Sequence, residues 1–180
     1  MELQIGDQSI IVDEETTANI ELEGIDFITN GNQYLTFILD DEHYGVDILG
    51  VKEIRGWENP TLIPHAANYV KGVINIRGVI VPILDLRIRF NMGESAYDAT
   101  TVVIVLSMES EERNCTMGFV VDAVSDELNA DDNEIKPAPP FHSNISPDDI
   151  EGLVNVGNNV VTLIHVKQLL KLDNEGAPSV

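Results

Sequence analysis

From residue 34 to residue 172 the apolar side chains come in short runs of strand length, separated by polar or glycine-bearing breaks. Tyr34 to Leu39 is one such run, Asp40-Asp41-Glu42-His43 a polar turn, and Tyr44 to Leu49 the resumption, a pattern that predicts a β-hairpin. Gly72 and Gly78 flank Val73 to Arg77 and predict tight turns or close backbone approach. Val79 to Leu84 is strongly apolar, and Pro82 within it must take a strand edge, an end or a bulge. Asn91 to Thr100 is polar and reads as a connection. Thr101 to Met108 reads as a buried strand, Glu109 to Asn114 as a charged turn, and Met117 to Val124 as the returning strand. Pro137, Pro139 and Pro140 mark a long loop. Ser146 before Pro147 is the signature of a helix start, His65 to Val70 is expected to form a helical turn, and Val166 to Leu172 closes the pattern as a short helix.

The pattern repeats itself. Shifting the chain by 80 positions lays Gly72 on Gly152, Asn75 on Asn155 and Val81 on Val161. A shift of 73 lays Gly45 on Gly118, Val51 on Val124, Glu53 on Asp126 and Pro64 on Pro137. Two β-rich units on one plan follow, with their junction at 91–100. Two copies are too few for a solenoid or propeller, so a pair of barrels is expected. Units of this size are marginal alone, which predicts a shared apolar interface.

Composition sets the outer limits. The net charge is −21, which disfavours nucleic acid and anionic membrane surfaces alike. Cys115 is the only cysteine, so an intrachain disulfide is impossible and a reducing, cytoplasmic setting is expected. No secretory signal opens the chain, and no apolar stretch reaches the about 18 residues of a membrane span. Residues 1–33 carry acids unopposed by Lys or Arg and are expected to form a disordered arm, although Ile10-Ile11-Val12 could dock as a strand. Residues 173–180 read as a frayed tail.

The sequence holds no phosphate-cradling loop, nucleophile elbow or HExxH motif. His43, His65, His142 and His165 lack ligand spacing, and Asp40-Asp41-Glu42 has no calcium-loop glycine around it. No enzyme, cofactor or metal is therefore expected. A binding surface is better supported. Lys52, Arg55, Lys71, Arg77, Arg87 and Arg89 crowd between Tyr44 and Phe90 against only Asp47, Glu53, Glu58 and Asp85. Such segregation can orient a partner. The plainer reading, cations scattered over a solvated surface, suits Lys52 and Lys71. Arg77 sits between glycines beside Ile74 and Ile76, where an interface anchor and a structural salt bridge to Glu53 or Asp85 are equally served by its chemistry. Val51 and Glu53, two apart on a strand, should share a face, though a valine there is usually core. Gly118 alone would signify only a backbone requirement.

Taken together, YGVDILGVKEIRG, VKGVINIRGVIVPILDLRIRF, GFVVDAVSDEL and IKPAP resemble the CheW family of chemotaxis coupling adaptors, across Tyr34 to Leu172 and most specifically across Gly72 to Arg89. The resemblance implies an all-β fold of two intertwined, packed five-stranded SH3-like barrels with short helical turns. It implies an adaptor that joins the cytoplasmic tips of chemoreceptors to the regulatory domain of the histidine kinase CheA, in arrays at the inner membrane. Carried onto this chain, the partner-binding positions are Val51, Glu53, Arg55, Asn75, Ile76, Arg77, Gly78 and Gly118, with Gly72, Pro82 and Gly152 as structural turns. Ile76 stands where the family motif has leucine, Ala67 where proline is common, and His165 where an aspartate is often found. Two other readings remain: a module of the same fold that occupies kinase or receptor without coupling them, and a small-ligand-binding barrel.

Overall fold

The computed structural model describes residues 2–5, 8–11, 31–93, 96–109, 114–140 and 145–171. The chain divides into two compact units, Met1–Gly31 and Asn32–Val180. In the first, β1 (Glu2–Ile5) and β2 (Gln8–Ile11) form an antiparallel hairpin with Leu3 opposite Ile10. Part of the arm expected to be disordered is therefore strand. The alternation of Leu3 and Ile5 with polar residues is a β pattern that the charge count obscures. Residues 12–30 lie outside the described residues, as does the expected tail at 173–180.

The second unit opens with β3 (Asn32–Leu39) and β4 (Glu42–Asp47), joined by Asp40 and Asp41 at φ 50° and 64°. Two consecutive left-handed residues make the twist-matched hairpin turn, and aspartate tolerates that conformation. A single helical turn over Ile48–Gly50, capped by the Asp47 carboxylate, leads into β5 (Val51–Gly56). Then follow β6 (Val70–Ile76), β7 (Val79–Asp85) and the short α1 (Leu86–Arg89). The second repeat supplies β8 (Val102–Glu109), β9 (Asn114–Val121), β10 (Ala123–Ala130), β11 (Ile150–Val156), β12 (Asn159–Ile164) and α2 (Val166–Lys171).

The two five-stranded sheets run β10-β3-β4-β12-β11 and β5-β8-β9-β7-β6. Each takes two strands from one repeat and three from the other. Residues 91–100 thus join the repeats but do not separate the barrels, which corrects the simple division at that segment. The crossing points are the turn at Ile48–Gly50 and a corner at Asp122, which splits the strand expected from Met117 to Val124. Paired backbone bonds between Thr61 and Val73, and between Lys136 and Leu153, bring the loops after β5 and β10 back against β6 and β11.

The repeat is exact in register. Ile83 pairs with Gly118 across the parallel β7–β9 ladder, and Leu163 pairs with Gly45 across β12–β4. Gly72 and Gly152 both lie at bulges, opposite Ile83 and Leu163, while Val81 and Val161 face Ile74 and Val154. At Gly72 φ is +136°, and a side chain there would run into the Thr61 carbonyl. Pro82 is neither at an edge nor at a bulge: β7 lies between β9 and β6. It is tolerated because Val73, opposite it, gives both backbone groups to Thr61, and the β9 ladder begins only at Ile83. No ladder bond asks for the missing N–H.

The core shows why the barrels need each other. Leu35, Phe37, Leu39, Tyr44 and Val46 of one pack with Leu84, Leu86, Ile104, Leu106 and Phe119 of the other in one shared cluster. The alternate faces fill each barrel separately, with Val103, Val105 and Val120 in one and Tyr34, Val154 and Leu163 in the other. The helical turn expected over His65–Val70 does not form. His65 adopts φ 62°, which breaks a right-handed helix, and only a turn from Ala67 to Val70 remains. Pro147–Asp149 does make one helical turn, but the Ser146 side chain does not cap it.

Candidate partner-binding surface

The turn between β6 and β7 consists of Arg77 and Gly78, at φ 49° and 88°. Asn75 shapes it by accepting the Gly78 N–H through Oδ1 at 2.8 Å. Gly78 faces open space, so its requirement is conformational. The turn holds Arg77 outward with 83% of its side chain exposed, and Nη1 lies 3.0 Å from Glu53 Oε2. Glu53 is 18% exposed and also receives Arg55 Nη1 at 3.1 Å, while Arg55 Nη2 reaches Glu58 at 3.2 Å. One carboxylate is therefore clasped by two guanidinium groups, one from β5 and one from the β6–β7 turn. Of the two acids the sequence offered Arg77, Glu53 is the partner. Asp85 is buried, caps α1 through the Arg87 and Ile88 N–H groups, and accepts the Tyr97 hydroxyl at 2.7 Å.

Val79 and Ile80, which follow this turn, are exposed, so a charged network borders uncovered apolar surface. Ile76 does not join them. Its side chain is 8% exposed and packs with Ile74, Val81 and Val105, because β-strand alternation turns it inward when Arg77 turns out. Val51 does not share a face with Glu53 as the spacing suggested: the register shift between them pairs Val51 with Leu106 of the shared core and Glu53 with Val105 of the other cluster, so Val51 is half-buried against the shared core. Gly118 is a packing position: a Cβ there would come within 2.6 Å of Ile83 Cδ1 and 2.8 Å of Val103 Cγ1.

The remaining cations of the basic stretch are engaged within the fold. Arg87 bonds Asp122 at 3.1 Å and Asp40 at 3.3 Å, tying α1 to the other barrel. Arg89 lies over the Tyr69 ring and Lys71 over Tyr97, whose ring stacks on Trp57 with centroids 4.2 Å apart. Lys52 approaches Glu109 at 3.9 Å. The stretch is thus not an open basic patch; it presents one outward arginine.

A second feature was not anticipated. Leu49, 87% exposed, stands on the turn between β4 and β5 over a groove of about 370 Å³ walled by Gly50, Met108 and Val166. Leu49 looked like the end of a strand. The signal that could have exposed it is Asp47, whose side chain caps the helical turn that follows. Among the described residues no cluster of His, Cys, Asp or Glu is placed to hold a metal ion, and no helix is long and apolar enough to cross a membrane.

Comparison with known proteins agrees with this architecture. Residues 33–174 match the family model for the CheW-like domain. The chain is 42% identical to the chemotaxis protein CheW of Klebsiella aerogenes over 142 residues, covering 79% of this chain and 83% of that one. It is 34% identical to CheW of Rhizobium meliloti, covering 83% and 95%. The crystal structure of the scaffolding protein CheW from Thermoanaerobacter tengcongensis superposes with a TM-score of 0.68 at 28% identity, over 78% of this chain and 88% of that one. With the exchanged five-stranded barrels and the match across nearly all of the second unit, the chain belongs to the CheW family of chemotaxis coupling adaptors.

Proposed function

We propose that this protein joins the cytoplasmic tips of chemoreceptors to the histidine kinase CheA, using two separate surfaces. The turn carrying Arg77, with Glu53, Arg55, Val79 and Ile80, takes the kinase's regulatory domain. The groove beneath Leu49 takes a helical receptor tip, as amphipathic helices commonly lie in apolar grooves. The observation that carries this reading is the outward Arg77 beside exposed Val79 and Ile80. A rigid guanidinium next to uncovered apolar surface is a common interface centre, and an ion pair whose arginine is 83% exposed adds little to an isolated fold.

Purified protein should capture a kinase fragment and a receptor cytoplasmic fragment in one complex. Arg77→Ala should reduce kinase capture and leave receptor capture; Leu49→Asp should do the reverse. Capture of one partner only, with the other competed away, would favour the occluding module of the same fold. The small-ligand reading has a cavity of about 520 Å³ beside His43, Ile150 and Val160 to draw on. The buried polar atoms without a partner among the described residues are Nε of Arg87 and Arg89, and neither residue lines that cavity. A ligand site would be expected to aim such groups into it.

A further inference from the structure

The outer face of the β4, β12 and β11 strands starts in the shared core and runs out from under it. Val46, Ile164 and Ile150 pair across these strands and lie in or against that core. In the next row Tyr44 pairs with Thr162 and Thr162 with Leu153, and beyond it Val160 pairs with Asn155. Paired residues share a face of a sheet, so the rows form one surface. Cover falls along it: Ile164 is fully buried, Thr162 half-buried and Val160 51% exposed. Ile145, Pro139 and Pro147 wall the uncovered end and leave the cavity of about 520 Å³. Its charge is of one sign. Asp41 of the β3–β4 turn and Glu42 at the start of β4 line it, His43 is the only other ionisable neighbour besides Tyr44, and no lysine or arginine among the described residues lines it. Glu42 is held in place, because the hydroxyl of the buried Tyr44 donates to its Oε2 at 2.7 Å. Burial, then that bond, pushes the Tyr44 phenol far above its ordinary range, so the hydroxyl remains a donor. Asp40 is paired with Arg87 at 3.3 Å, and it is Asp41 that lines the cavity. The first repeat has exposed Ile80 where the second has Val160, and the charge beside Ile80 is Arg77. The duplicated apolar position thus carries charges of opposite sign in the two barrels.

We infer that this cavity is a docking site, separate from the surfaces around Arg77 and Leu49, for a partner segment that carries a lysine or arginine next to an apolar side chain. The apolar side chain extends the covered rows by lying on Val160, Leu153 and Ile145, and the cation meets Asp41 and Glu42. Lysine and arginine suit such a site because their methylene stems lie along apolar surface while the charged head stays in water. The cavity is open along the side where Asp41, Pro139 and Val160 are exposed, which admits a side chain delivered on a polypeptide. Both carboxylates stand at the solvent edge, so each adds modestly, and together they should change affinity about three- to tenfold.

The test uses the full chain, isotope-labelled for amide shifts, with the capped peptides acetyl-Leu-Lys-Leu-amide and acetyl-Leu-Glu-Leu-amide as probes. The lysine peptide should move the amides of Val160, Thr162 and Leu153 and leave those of Arg77 and Leu49 in place. The glutamate peptide should bind about tenfold more weakly. The double substitution Asp41→Asn with Glu42→Gln removes both charges, keeps an acceptor for the Tyr44 hydroxyl and suits the φ of 64° at Asp41. It should leave the unfolding midpoint unchanged and weaken the lysine peptide about three- to tenfold. Added salt should weaken that peptide on the unmodified protein and have little effect on the double variant. Equal binding of the two peptides, shifts confined to other residues, or no shifts at all would overturn the inference. Capture of kinase and receptor fragments should be the same for the double variant and the unmodified protein; a loss of either would join the cavity to those surfaces and overturn a separate site. Self-association abolished by the double substitution would assign the cavity to a second copy of this chain and overturn the partner assignment.

Discussion

Replacing Arg77 with glycine separates the two roles that an arginine in this turn can play. Arg77 holds φ 49°, a conformation that costs a side-chain-bearing residue about 1 kcal/mol and costs glycine little. Glycine gives back part of that gain, roughly 0.5 kcal/mol or more, through the greater freedom of its unfolded chain. The lost ion pair to Glu53 has its guanidinium end 83% exposed, and Arg55 continues to neutralise the carboxylate. Its loss should cost only a few tenths of a kcal/mol, about the value of a surface pair. These terms nearly cancel, so Arg77→Gly should move the unfolding midpoint by less than about 3 °C. Arg77→Ala keeps the strained backbone and loses the pair, so it should be slightly less stable than Arg77→Gly. Binding should behave otherwise. Truncating an arginine at the centre of an interface costs about 2 kcal/mol, on the order of a thirtyfold loss of kinase affinity. The assay is thermal unfolding alongside kinase binding and receptor-dependent kinase activation, for Arg77→Gly, Arg77→Ala and Arg77→Lys. Lysine keeps the charge without the planar fork and should recover only part of the affinity. Full activity in Arg77→Gly would refute the interface role, and a collapse of the midpoint would show that the Glu53 clasp is structural.

Gly118→Ala and Gly45→Ala should each destabilise the fold by about 1–3 kcal/mol, because the new methyl would meet Ile83 Cδ1 at 2.6 Å and Leu163 Cδ2 at 2.9 Å; urea titration checks this, and tolerance at either site would contradict the packing. If Gly118 acts only through packing, its alanine variant should bind the kinase normally once folded. Tyr97→Phe removes the hydroxyl that donates to buried Asp85 and should cost about 1.5–3 kcal/mol in the same titration; a midpoint within error of the unmodified protein would contradict that bond's importance. Burial raises the Asp149 carboxyl above its ordinary value, opposed by Arg89. A raised carboxyl favours the folded state while protonated, and that contribution fades as pH rises from the unfolded value through the folded one. Asp149→Asn should therefore be more stable than the parent at pH 7, with the advantage shrinking towards pH 4, as unfolding midpoints across that range would show; equal midpoints at pH 7 would argue against a burial cost.

Much of the protein is local, and local structure is legible in residue order. The β runs, the hairpin through Asp40-Asp41, the close backbone approach at Gly72 and the outward turn at Arg77-Gly78 all follow from side-chain period and backbone preference, whereas the glycines at 72 and 152 sit at strand bulges and not at the turns expected of them. Those properties belong to residues near one another in the chain. The duplication was legible for the same reason, since matched offsets require no knowledge of space. What the alternating pattern does not encode is which copy's strands complete a barrel. Ile83 can face Gly118, and Leu163 can face Gly45, only because the chain crosses between barrels at Ile48–Gly50 and at Asp122. A shared apolar cluster that neither repeat could build alone makes the exchange favourable. The fate of the cations was likewise decided in three dimensions. Arg87, Arg89 and Lys71 resemble Arg77 in sequence, yet the fold places Asp122, Tyr69 and Tyr97 against them. The groove under Leu49 exists only where two barrels meet, so its residues come from distant strands and carry no common motif. Residue order determined the strands, the repeat and the arginine turn because these are near-neighbour effects; packing between the exchanged halves decided which cations are drawn into the fold and where the groove under Leu49 opens.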